Sequence, residues 1–539
     1  MLHVIINEQL YDKAFVEQWC HGFEELKVRV QEYPPARVAD ICCCSAEELA
    51  RAARIFATAE SACVSVGNGI NQHHNSVQVH RAINILIAIT GNIDVPGGHL
   101  LPGCVESGNC KGLKGYRGNE YILRYGAPQL PDDVRAKALG ASHFPLWVGP
   151  SAMMPVAIHN PTLQNALLGI GTEGPIRALY ITGMNPLVTY PGATKMYEGL
   201  QQLDFLAVAS HSMTPTVELA DVVLPKKHWY EKEEVVLDIY GHCLTLTRKI
   251  FEPPGEAKED LEICYSICDK AVQRGYIERN PILWKNLDEL NAWRLEMTGH
   301  TMEEVRDKGY IRFEVFYKEY ETRGKFFMPT GKVELYSTIL AKHGYDPLPY
   351  HKLPPAHEAT SPEIVKRFPL LFGTARNKVY QHSRFRDTVW SRRARPYPRL
   401  EIHPDTASSR GIADGQWVWI ETHHGRIRMM AEVAPNIHPR FVNGEMGWWY
   451  PEKISPGHGA FDSNPNVIIT YDSPDEPVMG VPPLKGVPCQ VYPADEPVAS
   501  GDPIENLKRA WDSYYSRLPA ISGDAVFGEI ERARETEAK

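Results

Sequence analysis

Between about Ile176 and Glu234, short apolar runs alternate with segments of helical spacing, and this alternation constrains the fold of the 539-residue chain more than any other feature. "IRALYITGMNP" reads as a strand running into a turn with Gly183, Asn185 and Pro186. "ATKMYEGLQQL" then reads as a helix, "DFLAVASHS" as a second strand and "ADVVLP" as a third. The same order occurs earlier. "SAEELARAARIFATAE" opens with Ser45 as a cap and Glu48 three residues on, "SACVSVGNGI" supplies a strand ending at Gly67 and Gly69, and "SVQVHRAINILIAITGNI" is a helix stopping near Gly91. Strands separated by helices imply a parallel sheet covered on both faces, an α/β fold. Ligands of such sheets gather at the carboxyl ends of the strands. The segments there are Gly67 to His74, Gly183 to Thr189 and Ser210 to Thr216.

The first residues, "MLHVIINEQLYDKAFVEQWC", place Leu2, Val4, Ile5, Ile6, Leu10, Tyr11, Phe15 and Val16 at the spacing of an amphipathic helix or helix pair, with no capping residue ahead of it. After Pro253 the sequence turns charged and helix-forming through about Lys342, and the Pro-rich "YDPLPYHKLPPAHEATSPE" marks a boundary. Beyond Phe368 the texture is β. "RLEIHP", "QWVWIETHHG" and "RIRMMAEV" are short alternating strands of a barrel or sandwich. The resulting division is an α/β region over 1–115, a second over 116–255, a helical and linker region over 256–362, a β region over 363–500 and a charged helical tail over 501–539.

Composition narrows the function. With 43% hydrophobic residues the chain can bury several cores, and its net charge of -9 argues against nonspecific binding of nucleic acid. No stretch is apolar and long enough for direct membrane insertion. The 11 cysteines lack a regular spacing and read as reduced thiols, so a cytoplasmic location is expected, or a periplasmic one where an upstream export signal exists.

Few residues carry chemistry by pattern alone. Adjacent Cys42, Cys43 and Cys44 diverge too much to converge on one metal, and read as buried or half-buried thiols ahead of a helix cap. Cys264 and Cys268 read as core, while Cys104 and Cys110 are the pair retained as redox candidates. "GNGINQHHN" sets Asn71, Gln72 and His73 beside backbone N–H groups of a Gly loop, suited either to a heterocycle or phosphate or to an ordinary surface turn. His73 and His74 lack the spacing of a zinc site.

Taken together, "GNGINQHHNSVQVHRAINILIAITGNIDVPGGHLLPG", "ALYITGMNPLVTYP" and "HSMTPTVELADVVLPKKHWYEKEEV" resemble the molybdopterin oxidoreductases of the dimethyl sulfoxide reductase family. "LLFGTARNKVYQHSRFR", "LEIHPDTASSRGIADGQWVWIETHHGRIRM", "GWWYPE" and "DSNPNVIITYD" resemble that family's C-terminal molybdopterin-dinucleotide-binding barrel of six strands. The resemblance runs in the same order from Leu2 to about Pro493. "GWWYPE" and "LKGVPC" look closer to the branch holding acetylene hydratase and thiosulfate or polysulfide reductases than to formate dehydrogenases, whose Arg after the Gly-Gly turn is absent from "PGGHLLPGCVESGNC".

The resemblance implies a bis-molybdopterin guanine dinucleotide cofactor holding molybdenum or tungsten. It assigns cofactor contacts to Gly67, Gly69, Asn71, Gln72 and His73, to Gly183, Asn185 and Thr189, and to Ser210, His211 and Thr214. In the barrel it assigns Gly373, Thr374, Arg376, His382, Ser383, Lys485 and either Asn464 or Asn466, both kept as candidates. Many members carry an acid where Ser210 or His211 stands, and the family's Thr-Gly order is reversed at Gly373-Thr374. Arg376 suits bidentate pairing with a phosphate rather than a surface salt bridge. Trp448 and Trp449 suit either barrel packing or a substrate funnel.

Family members normally open with a cysteine-rich iron–sulfur segment and continue to a Cys, Sec, Ser or Asp that ligates the metal. Neither can be matched here, so no catalytic residue, metal ligand or cluster is assigned to this chain. The expected partner is a missing N-terminal segment or separate subunit carrying a cluster, with an electron-transfer subunit beyond it, and the apolar face of the first helix is where that segment is expected to pack. Three readings follow: an oxidoreductase inactive without that segment, a cofactor-binding or structural subunit without turnover, and a non-redox hydratase.

Overall fold

The computed structural model describes residues 1–101, 131–150, 158–171, 176–237, 243–296, 298–312, 317–354, 357–453, 457–471, 476–499 and 501–516. Cys104 and Cys110 lie outside them. The chain forms two compact units: residues 1–163, 225–353 and 474–481, and residues 164–224, 354–473 and 482–539.

The first unit is built on helices. The opening segment is the expected pair, α1 (Leu2–Asn7) and α2 (Lys13–Trp19). Asp12 caps α2 by accepting from the Phe15 N–H at 2.9 Å, whereas Met1 offers α1 no side-chain cap. Around them pack α3 (Phe23–Val30), α4 (Pro35–Cys42), α5 (Ala46–Thr58) and α6 (Ser76–Ile89). Ile5, Leu26, Ala53 and Ile89 are fully buried in one core with Tyr320 and Phe326 from the later part of the unit, whose rings stack 4.5 Å apart. The apolar face of α1 is therefore covered within the chain, against the expectation that it stands open: Val4, Ile5 and Ile6 are all buried. Beside it remains a cavity of about 350 Å³ walled by Met1, Leu2, Leu26, Val30, Val79 and Leu86.

Three further expectations in this unit are corrected. Ala62–Val66 does not form a strand, because its N–H groups are taken by side chains: Ala62 donates to Asn92 Oδ1 and Val64 to His99 Nε2, each at 2.7 Å. Cys42, Cys43 and Cys44 precede the Ser45 cap as read, but all three are exposed, since α4 buries none of its residues. Cys264 and Cys268 are only half-buried on the helix Asp260–Gln273. The unit also holds an antiparallel sheet of Glu234–Leu237, Cys243–Thr247 and Tyr310–Arg312, whose last strand lies within the charged region read as helical.

The second unit contains the α/β segment and a closed barrel. Strands β1 (Ala178–Thr182), β2 (Phe205–Ser210) and β3 (Val222–Pro225) lie in that order, and β1 and β2 are parallel, with Ile181 opposite Val208. The short helix α7 (Pro186–Thr189) and α8 (Ala193–Gln201) connect them, so the α/β reading holds here. The β region is a barrel of six strands: β4 (Leu370–Ala375), β5 (Arg399–Ile402), β6 (Trp417–Thr422), β7 (Gly425–Val433), β8 (Phe441–Glu445) and β9 (Lys485–Pro493), closed in the order β5-β7-β6-β9-β4-β8. Closure leaves no unpaired edge. Alternation fills its interior: Val418 and Ile420 from β6 meet Ile427, Met429 and Ala431 from β7 around Phe372, all fully buried. After the barrel a helix over Pro503–Tyr515 opens the expected tail. Among the described residues no helix is long and apolar enough to cross a membrane.

Candidate cofactor site

Within the second unit, the carboxyl ends of β1 and β2 and the loop after Ser463 meet on the turn of α7. Gly183, at φ +67°, reverses the chain after β1 in a conformation that L side chains rarely adopt. Asn185 then caps α7 and is 6% exposed. Its Oδ1 accepts from Thr216 Oγ1 at 2.6 Å, and the same Oγ1 accepts from the Leu187 N–H at 3.2 Å, so one buried hydroxyl ties the loop after β2 to the loop after β1. On the other side, Asn464 Nδ2 and Asn466 Nδ2 both donate to the Val188 carbonyl, at 3.0 and 2.8 Å. Thr189 Oγ1 donates back to the Asn185 carbonyl at 2.9 Å.

Two buried polar atoms in this cluster have no partner: Asn185 Nδ2 and Thr214 Oγ1. A buried donor left unpaired costs about 1–3 kcal/mol. An amide and a hydroxyl thus stand unpartnered at two neighbouring strand ends. Ser210 is committed locally, its Oγ donating to the Ser212 carbonyl at 2.8 Å, and His211 is exposed.

A second group of the sequence-named residues gathers at the end of β4 and the loop that follows it. Gly373 stands opposite Lys485 in the β4–β9 register, and the Lys485 Nζ donates to the Thr374 carbonyl. Burial lowers the pKa of that ammonium. A Cβ at Gly373 would meet the Phe441 ring at 2.8 Å, so this position excludes a side chain. Arg376 is exposed, and its Nη2 lies 3.4 Å from His382 Nε2. Burial, then the guanidinium groups of Arg376, Arg384 and Arg386, hold His382 below the ordinary imidazole value, which keeps it neutral near pH 7. A neutral ring can accept from the Arg376 guanidinium without cancelling its charge.

The His382–Ser383 loop is held from beneath by residues that sequence reading did not assign. Arg386 is buried, donates to the carbonyls of Arg384 at 2.9 Å and Met446 at 2.8 Å as well as to that of His382, and lies over the Tyr380 and Trp448 rings at 4.2 and 5.3 Å. Trp449 Nε1 donates to the Ser383 carbonyl at 2.8 Å. Gly447, at φ +74°, passes so close that a Cβ would stand 2.6 Å from the His382 carbonyl oxygen. Glu445, buried at the end of β8, accepts from Asn377 Nδ2 and Arg395 Nε at 2.7 Å each and from Trp448 Nε1 at 3.1 Å. Both tryptophans thus pack the barrel end and brace the loop. The charged residues inside "SRFRD" and "GEMGWWYPE" were the available signal, because a charge amid large apolar residues requires a buried partner.

The remaining sequence-named residues belong to the first unit. Ile70–Gln72 form one turn of 3₁₀-helix, Gly67 and Gly69 are exposed with open space where a Cβ would point, and Asn71 Oδ1 bonds His80 Nε2. His73 is exposed at the end of that turn. Among the described residues no group of three or more His, Cys, Asp or Glu side chains could hold a metal ion.

Two family models match the chain: molybdopterin oxidoreductase over residues 1–270 and the molybdopterin dinucleotide binding domain over residues 370–488. The chain belongs to the molybdopterin oxidoreductase family. It is 34% identical over 511 residues to the acetylene hydratase of Syntrophotalea acetylenica, covering 90% of this chain and 68% of that protein. To the dopamine dehydroxylase of Eggerthella lenta it is 28% identical, over 88% of this chain and 53% of that protein. Among solved structures, acetylene hydratase from Pelobacter acetylenicus superposes with a TM-score of 0.82 at 31% identity, over 92% of this chain and 69% of that one. The chain thus spans between about half and two thirds of the length of these relatives.

Proposed function

We propose that this chain is the cofactor-binding part of a molybdenum or tungsten enzyme using bis-molybdopterin guanine dinucleotide, and that turnover requires a further polypeptide segment carrying the metal's protein ligand and an iron–sulfur cluster. The observation that carries the reading is the pair of unpartnered buried atoms, Asn185 Nδ2 and Thr214 Oγ1, at strand ends of the family's α/β segment. Neutral donors of this kind suit a heterocycle edge or a phosphate oxygen. Asn185 and Thr214 would hold the nucleotide portion, Arg376 a phosphate, and the Gly373–Thr374 and His382–Ser383 loops, with Asn464 or Asn466, the pterin. The group, when bound, supplies the redox or Lewis-acid chemistry.

The chain's own residues position. Thr216 fixes the Asn185 amide, leaving its Nδ2 as a donor to the ligand. Arg386 and Trp449 set the height of the His382–Ser383 loop, and the neutral His382 ring leaves the Arg376 charge to the ligand. The further segment is supported by the roughly one third to one half of the relatives' length that this chain does not match. Its side chains would fill the apolar cavity beside Leu2.

A second reading has a specific support: the identity to acetylene hydratase favours a non-redox hydratase, in which water adds across an unsaturated bond. The assembled enzyme decides between them. Product formed from acetylene without an added electron acceptor supports the hydratase, whereas turnover that appears only with an acceptor supports the oxidoreductase. Full turnover by this chain alone would contradict the need for a further segment.

A further inference from the structure

The exposed cysteine run at the end of α4 takes no part in the cofactor site, yet its geometry is specific. The helix ends at Cys42, Cys43 adopts the left-handed conformation at φ 52° and ψ 43°, and the Cys44 N–H returns to the Ala39 carbonyl at 3.2 Å before Ser45 opens α5. All three thiols are exposed. The Cys44 side chain lies close enough to the Cys42 thiol to help hold it above its ordinary value. A helical conformation of either hand at the middle residue sets the flanking Cα atoms about 5.4 Å apart, close to the commonest disulfide spacing of roughly 5.5–6 Å. Neighbouring residues, with Cα atoms about 3.8 Å apart, fall below the disulfide range, so the turn selects the outer pair and leaves Cys43 out.

We propose that Cys42 and Cys44 form a thiol–disulfide exchange site that is oxidised reversibly by low-molecular-weight disulfides. One thiolate attacks a sulfur of the small disulfide, forming a mixed disulfide and expelling one small thiolate. The second cysteine attacks the protein-bound sulfur, which closes the Cys42–Cys44 bond and expels the other small thiolate. Two electrons pass to the small disulfide, and the two protons lost by the cysteines are taken up by the released thiolates. Burial, then the neighbouring sulfurs, push the Cys42 thiol above its ordinary value, so exchange accelerates as the pH rises through the alkaline range.

The test is incubation of the intact chain with glutathione disulfide, alkylation of the remaining thiols and mapping of the peptide that spans residues 42–44. The expected product is lighter than the reduced peptide by two hydrogen atoms, with Cys43 alkylated. The variant C43S still closes the bond, while C42S and C44S each stop at a stable glutathione adduct on the remaining outer cysteine. A persistent adduct on the unsubstituted chain without an internal bond would overturn the proposal. So would a bond that forms in C42S or C44S, or one that joins either cysteine to Cys63. Substitution at this exposed helix end leaves the core untouched, and unchanged far-ultraviolet circular dichroism is the accompanying control.

Discussion

The barrel and the helical first unit bury comparable apolar side chains by different means. In the barrel, six strands satisfy their backbone groups in one closed ladder, so the interior is left to apolar residues such as Phe372, Ile420 and Met429, and the charges at its end are paired beneath the His382–Ser383 loop. In the first unit, helices such as α1 and α6 satisfy themselves, and the segments between helices borrow side chains such as Asn92 and His99. The barrel therefore concentrates polar risk in a few buried pairs, while the first unit spreads it over caps and loops. Local substitutions should be costlier in the former.

The largest effect is expected at Arg392 and Glu452, an ion pair buried at the barrel end in which Arg392 Nε and Nη1 and Glu452 Oε2 have no other partner. Arg392→Met strands a buried carboxylate and should cost about 3–5 kcal/mol, whereas the double variant with Glu452→Leu should recover most of that. Denaturant unfolding followed by peptide-resolved hydrogen exchange reads both, and equal losses in the single and double variants would show that the pair is not the source.

Next in size is Thr216→Val, which takes the hydroxyl from both Asn185 Oδ1 and the Leu187 N–H. A loss of about 1–3 kcal/mol is expected, seen as faster exchange over residues 185–189. Smaller still is Asp12→Ala in the first unit, where a lost cap on α2 should cost about 1 kcal/mol and speed exchange in its first turn only.

The smallest effect is one of pH. Burial opposes ionisation of Glu234, but the Lys232 ammonium and the Arg294 guanidinium overcome it and hold the carboxyl below its ordinary value of 4.5. A carboxylate depressed in the folded state contributes stability that is present above its unfolded value and lost as the pH falls through the folded one. Exchange over 234–237 should therefore quicken on acidification below about 4.5, and in Glu234→Gln this added sensitivity should be absent.

The same contrast explains what could be read from the sequence. A period of two in Val418, Ile420 and Thr422 and in Ile427, Met429 and Ala431 gives the strand and its inward face at once, since burial itself imposes the period. The strands before Asn185 and Ser210 were legible for the same reason. Ala62–Val66 was not, because its N–H partners come from residues about thirty positions away and leave no local trace. Among the site residues, the loops ending at Gly183 and Gly373 announced themselves by glycine, while the supports under them did not. Arg386 and Glu445 act through carbonyls and side chains brought in by the fold, and their spacing in the sequence carries no period. The exposure of Cys42 to Cys44 was equally illegible, since α4 buries none of its residues despite its apolar spacing.

The most direct measurement is the organic cofactor content of the purified chain, expressed in a host that makes molybdopterin guanine dinucleotide. Released pterin and guanine nucleotide are quantified for the unsubstituted chain and for Asn185→Leu, with hydrogen exchange confirming that both are folded. The account predicts pterin and guanine nucleotide in stoichiometric relation on the unsubstituted chain and a marked loss of both on the variant. A folded chain that carries neither, or a variant that retains both in full, would contradict the claim that the strand ends around Asn185 cradle the cofactor.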